Sequence, residues 1–244
     1  NVLALVVICR EDADGHLRVS PFHSDLMVQI ATASAAARCE LLVSLQSDAR
    51  PVYGQYEADQ LADGVIVIGS REQGRAWEYF RALQAEGCNM VSWSVASATR
   101  SQRKFGVVAA DNAEGGRLLA DHLHALGRRR AVLIGGGQGA PEQFNERIEA
   151  FRERWQQLGA VIAGHWSQAD IRQSLSILPH GGADATVGSA PTREAEGVAG
   201  ARLMLDSGIE CDALFAANDQ LAIGVLHELA EAGIAVPRRI AVCG

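Results

Sequence analysis

The residues with the most chemical promise fall at the ends of apolar runs. The strand-like run Ala213–Ala217 leads straight into Asn218 and Asp219, and an amphipathic helix, Leu221–Ala232, follows. In an open α/β sheet, ligands bind at the carboxyl ends of strands, where this amide and carboxylate fall. Such groups exchange hydrogen bonds with vicinal hydroxyls, and an arginine adds a rigid fork of donors for hydroxyl, carboxylate or phosphate oxygens. Arg147, on the helix Glu142–Leu158, is the candidate for that fork. Asp111, Asn112 and Glu114 stand at the start of another helix, where backbone N–H groups point outward. Two aromatics complete the set: Phe22, just after Ser20-Pro21, and Trp93, which with Ser94 ends a strand. Each could stack on a sugar or a base.

Structural roles compete for all of them. Asp219 also suits an N-cap for Gln220–Ala232, and Asp111, Asn112 and Glu114 suit helix capping. Arg147 could pair along its own helix with Glu142, Glu146 or Glu149. Phe22 and Trp93 could be core or lid residues. Gly135-Gly-Gly-Gln-Gly139 lacks the spacing of a dinucleotide loop and is interrupted by Pro141, so it reads as a turn shaping a rim. His122 and His124 do not share a helix face, and His16, His23, His165, His180 and His227 have no metal-ligand spacing. No nucleophile elbow or phosphate loop occurs, so the expectation is a non-enzyme without metal or cofactor.

These residues are positioned by an alternation of strand and helix that predicts an α/β fold with parallel sheets. Strands are expected at Val2–Ile8, Glu40–Leu45, Asp63–Ile68, Met90–Val95 and Phe105–Ala109. Helices are expected at about Phe22–Arg38, with an apolar face, and Glu72–Glu86; Glu11–Ser20 reads as a polar loop. A second series follows: a helix that starts at Asp111–Asn112 and runs through Gly115–Leu126, strand Ala131–Ile134, helix Glu142–Leu158, short strand Val161–Ala163, helix Thr192–Ser207, then Ala213–Ala217, its helix, and strand Ile240–Val242. The two series suggest two lobes, with the chain crossing near Val108–Asn112.

The chain has 244 residues, 48% apolar and 21% charged, enough for one large or two small cores. Its formal charge of −7 argues against a phosphate-gripping surface. The one dense basic run, Arg128-Arg129-Arg130, reads as a solvated helix end offsetting the helix dipole. Five cysteines, odd in number and widely spaced, suit a reducing cytoplasm. No apolar run approaches the roughly 20 residues of a membrane span, and no signal peptide is visible.

Several motifs recur in order along the chain. Asp212-Ala-Leu-Phe-Ala-Ala-Asn-Asp-Gln-Leu-Ala-Ile-Gly-Val-Leu226 and Gly233-Ile-Ala-Val-Pro-Arg-Arg-Ile-Ala-Val-Cys-Gly244 come last. Upstream lie Ala62-Asp-Gly-Val-Ile-Val-Ile68, Val107-Val-Ala-Ala-Asp-Asn-Ala-Glu-Gly-Gly116, His122-Leu-His-Ala-Leu-Gly-Arg-Arg-Arg-Ala-Val-Leu-Ile-Gly-Gly136 and Arg147-Ile-Glu-Ala-Phe151. Together they resemble the effector-binding domain of the LacI/GalR family of bacterial transcriptional regulators. The resemblance implies two Rossmann-like lobes of the type I periplasmic-binding-protein-like fold, here 1–109 and 110–244. It also implies effector contacts at Asp219 and Arg147, and a small sugar-like effector between the lobes. A homodimer would form through the first helix and the segment Ile223–Ala232, and operator DNA would be held by a head domain absent from this chain. The family's helix-turn-helix and closing tail are not matched, so the reading is of a partial chain. A periplasmic sugar-binding protein of a transport system is the alternative. Departures include Arg128 for the usual His, Ala150 for Gly, Arg38-Cys39-Glu40 for A-G-Y, and long stretches at 95–105 and Trp166–Asp184.

Overall fold

The first strand, β1 (Val2–Glu11), is apolar on both faces, as a strand inside a covered parallel sheet must be. Leu5, Val7 and Cys9 point to one core and Ala4, Val6 and Ile8 to the other, the period-two alternation of a strand. The computed structural model describes residues 1–11, 14–47, 49–69, 75–93, 106–177 and 191–244. These divide into two compact units, Asn1–Ala110 and Asp111–Gly244.

In the first unit, α1 (Pro21–Ala36) leads from β1 to β3 (Glu40–Ser47), and the chain returns to β4 (Gly64–Ile68). Then come α2 (Arg75–Ala85), β5 (Met90–Trp93) and β6 (Gly106–Val108). β1 lies between β3 and β4, and β5 and β6 continue outward, all parallel. The expected polar loop after β1 contains a short strand, β2 (Leu17–Arg18), antiparallel to β1 with Glu11 opposite Leu17. β1 is correspondingly longer than its apolar run. Two residues are too few for alternation to be read, so only the pairing reveals β2. Residues 72–74, Ser94 and the loop 95–105 lie outside the described residues.

α1 departs from its expected amphipathic role. Ser34 is its one buried residue; Leu26, Met27 and Ile30 lean on the core cluster of Leu5, Val7 and Ile68, and Val28 stays 61% exposed. Its alanines are all exposed, so composition overstated the face.

The second unit begins with α3 (Asn112–Ala125), then β7 (Arg130–Ile134), α4 (Glu142–Gln157) and β8 (Val161–Trp166). α5 (Gln168–Ile177), α6 (Arg193–Asp206), β9 (Ala213–Ala216), α7 (Asp219–Glu231) and β10 (Ala241–Cys243) complete it. The four strands are parallel in the order β10-β9-β7-β8. Helices on both sides bury Ala131–Ile134 and Ala213–Ala217 completely, and Phe151 stacks between Phe215 (4.6 Å) and Trp155 (5.3 Å). α5 was not expected. Its signal is a capping box: Ser167 Oγ accepts from the Asp170 amide, and the Asp170 carboxylate accepts from the Ser167 amide at 2.9 Å.

The arginine run is a solvated helix end only in part: Arg129 is exposed and donates to the His124 carbonyl in the last turn of α3 at 2.8 Å. Arg128 is half-buried, donating to the carbonyls of Pro237 (2.6 Å) and Arg238 (3.3 Å), while Asp212 accepts from the amides of Arg129 and Arg130. The run stitches the amino-terminal end of the sheet together. All five cysteines are free, and burial pushes the Cys243 thiol up to about 12.

Candidate functional site

Each sheet has a point where the chain reverses its direction of winding. In the second unit β7 leads to β8 on one side and the chain returns to β9 on the other. The crevice beyond the carboxyl ends of such a strand pair is where α/β sheets take ligands. Glycines open it. Gly135, Gly136 and Gly137 all have positive φ, and a Cβ on Gly137 would lie 2.7 Å from Ser167.

Arg147 is the hub of this crevice. It sits one turn into α4 and is half-buried, its Nε donating to Asn112 Oδ1 (2.9 Å) and one Nη to the carbonyl of Ala217 (2.9 Å). One side chain therefore ties the start of α3 to the end of β9. Of the acids considered as its partners, Glu149 pairs with Arg152, and Glu146 accepts from Asn112 Nδ2 at 2.9 Å. Burial lowers the Arg147 pKa, opposed by the nearby charges of Asp219 and Glu146.

Asp219 is the first residue of α7 and is exposed. It is not the cap, because Asn218 holds that position, extended, its Oδ1 accepting from the Leu221 amide at 3.0 Å. The Asp219 carboxylate makes no hydrogen bond to any described residue and remains available beside Arg147. Asp111 caps α3, accepting from the Glu114 amide at 2.8 Å, while Glu114 pairs with Arg117 at 2.9 Å. Asn112 is buried between Arg147 and Glu146. The structure thus brings Arg147, Asn112, Asn218 and Asp219 together and turns Asp111 and Glu114 to local work at the same helix end.

In the first unit the winding reverses at β1, between β3 and β4. Ser20 caps α1 through the His23 amide, with Pro21 at the first helical position. That cap sets Phe22 at the helix start, 56% exposed, its ring 6.0 Å from that of Trp93 and inclined by 48°. Trp93 ends β5 and leans on the cluster under α1. His23 lies 5.6 Å from Phe22, and burial lowers its pKa, favouring the neutral ring. The unit therefore presents an aromatic corner rather than a charged one.

A second cluster escaped sequence reasoning. Glu196, almost wholly buried at the start of α6, accepts from Arg172 Nε (2.9 Å), Arg193 Nη1 (2.5 Å) and Gln168 Nε2. Arg193 also lies over the Phe144 ring at 5.3 Å. Four of these residues come from α5 and α6, and no local spacing announces such a meeting. A surface hollow of about 480 Å³ runs beside β8 and α5. Two of its polar groups are already engaged: His165 with Gly135 and Arg152, and Asp170 with Ser167. Among the described residues no His/Cys/Asp/Glu group could hold a metal ion, and no helix is long and apolar enough to cross a membrane.

Comparison with known proteins agrees with this architecture. Residues 120–244, just over half of the chain, match the periplasmic binding protein-like domain. The chain is 31% identical over 143 residues to the HTH-type transcriptional regulator CelR of Thermobifida fusca, covering 59% of this chain and 36% of that protein. It therefore spans little more than a third of that curated relative. A LacI transcriptional regulator from a Rhodococcus species matches all of the chain and 77% of its own, with TM-score 0.70 and 24% identity. A CelR–cellobiose complex matches all of this chain and 66% of its own, with TM-score 0.71 and 23% identity. The chain belongs to the periplasmic binding protein-like domain family.

Proposed function

We propose that this chain is the ligand-sensing and dimerising part of a LacI-type transcriptional regulator working in the cytoplasm, and that its effector is a sugar or sugar derivative. The observation that carries the reading is the meeting of Arg147, Asn112, Asn218 and Asp219 at the switch point of the second sheet. An arginine fork next to a free carboxylate suits vicinal hydroxyls, which both donate and accept. The aromatic corner of Phe22 and Trp93 suits the apolar face of a sugar ring. Each unit thus offers recognition chemistry of its own. The relative CelR is a transcriptional regulator, and a CelR complex with cellobiose shares the fold.

The effector regulates by binding two conformational states with different affinity, since only a difference in affinity shifts an equilibrium. Two copies then hold the DNA-binding heads of the whole regulator differently. Exposed apolar side chains support the pairing: Val28, Val43 and Leu45 in the first unit, and Ile223 and Leu226 on α7. An obligate interface buries about 2,000 Å² or more, so these side chains would form only its apolar centre.

The test is mass spectrometry of ligand released from the purified chain, followed by calorimetric titration. A sugar that binds, and binds more weakly to Asp219→Ala, is the expected result. Wild-type affinity in both Asp219→Ala and folded Arg147→Ala overturns the site. Sedimentation equilibrium at micromolar concentration tests pairing, and a monomer in the complete effector domain refutes it. Specific operator binding by this chain alone would contradict the assignment of DNA contact to a separate head.

A further inference from the structure

We propose that the second unit selects an uncharged polyol and turns away its phosphate esters; this rests on the sugar-sensing reading above. The first argument is directional. α4, α5 and α7 each follow a strand, and α3 and α6 each precede one, so all five helices start at the carboxyl ends of the sheet. Helix starts carry partial positive charge and bare N–H groups, so a face built from five of them is a natural anion trap. The side chains at these helix starts oppose an anion rather than invite one. Each first turn carries an acid: Glu114 in α3, Glu142 in α4, Asp170 in α5, Glu194 and Glu196 in α6, and Asp219 in α7. Asp111, Ser167, Thr192 and Asn218 already accept from the open amides of four of the five.

The second argument concerns the cations. Arg117 is tied to Glu114, and Arg172 and Arg193 to Glu196. Arg147, at the centre, has given Nε to Asn112 and one Nη to Ala217. What it still offers is three of its five N–H groups, two of them on the unengaged Nη, with Asp219 and the Glu146 carboxylate close enough to act on its charge. A hydroxyl can accept from that nitrogen and donate to Asp219 at once. The phosphate group of a monoester, with a charge of about −1.5 to −2 near neutral pH, mainly accepts, and beside Asp219 it meets a like charge.

The test uses calorimetric titration of the wild-type chain with glucose, ribose, allose and cellobiose, with glucose phosphate and ribose phosphate, and with inorganic phosphate. Thermal melting of each variant confirms that it is folded. At least one uncharged sugar is expected to bind, its phosphate ester about tenfold or more weakly, and inorganic phosphate not measurably. Asp219→Asn is expected to admit inorganic phosphate with at least about a tenfold gain in affinity, because the repelling charge beside Arg147 is gone. A phosphate ester that binds as well as its parent sugar overturns this inference and leaves the sensing reading standing. So does an Asp219→Asn protein that still refuses phosphate, since the carboxylate is then not what excludes it. Failure of every sugar and every phosphate to bind overturns the sugar-sensing reading itself.

Discussion

Replacing Arg147 with alanine separates the structural and recognition roles of the crevice. The side chain donates two hydrogen bonds, to a residue that is 6% exposed, Asn112, and to the fully buried carbonyl of Ala217. Hydrogen bonds to charged groups contribute about 1.5–3 kcal/mol each, and an abandoned buried acceptor costs its desolvation. Asn112 keeps Glu146 as a partner, and the half-buried site admits water to the vacated space, so the two losses do not sum fully. The expected destabilisation is about 2–4 kcal/mol, a large share of the 5–15 kcal/mol typical of a domain. Arg147→Lys keeps the charge but cannot reach both acceptors in one plane, and is expected to fall between. Asp219→Ala, exposed and without a hydrogen bond among the described residues, is expected to stay within about 0.5 kcal/mol of wild type. Both alanine variants are nevertheless expected to lose about 1.5–3 kcal/mol of effector binding. Urea unfolding followed by circular dichroism and tryptophan fluorescence measures the first quantity, and calorimetry the second. An Arg147→Ala protein as stable as wild type, or an Asp219→Ala protein destabilised to the same degree as Arg147→Ala, refutes the division of roles.

Three further outcomes follow from the packing and charge of the two units. Gly224→Ala is expected to cost about 3 kcal/mol or more in thermal or urea unfolding, because its Cβ would lie 2.0 Å from the Glu194 carbonyl where α6 crosses α7; a neutral result would mean that the crossing is looser than described. Glu196→Gln is expected to destabilise the second unit by about 3 kcal/mol, since it strips the charge that balances Arg172 and Arg193, and an unchanged urea midpoint would contradict this. His23, whose folded pKa is lowered by burial from 6.5, binds its proton more readily when unfolded, so the first unit loses stability as pH falls below about 6.5 and until the folded pKa is passed. His23→Gln removes that part of the acid sensitivity, and an identical pH profile in the variant would count against it.

Much of this protein was legible one segment at a time. Apolar runs bounded by Gly, Pro and capping residues marked most of the strands and helices, because local periodicity and capping chemistry act over a few residues. Asn218 and Asp219 were placed at a strand end for the same reason, although which of the two caps α7 was not readable: Asn218 takes the extended cap position and leaves Asp219 free. The dipeptide pairing of β2 and the open face of α1 were missed because both depend on what lies opposite. The signature of α5, Ser167 with Asp170, was present in the sequence and went unread.

The sequence by itself determined the alternation of elements, the apolar cores, the family motifs and the residue types held at strand ends. Only the tertiary structure decided that Arg147 would bind Asn112 and the Ala217 carbonyl, residues 35 and 70 positions away. The same holds for Glu196, which gathers Gln168 and Arg172 from another helix, and for Arg128, which clasps the loop at Pro237. The physical reason is the order of strands. β9 lies beside β7 although β8 intervenes in the chain, and that choice comes from closing a twisted sheet under two layers of helices. A side chain reads its neighbours along the chain through local geometry, but it meets its partners across a crevice only after the sheet has fixed which strand ends stand side by side.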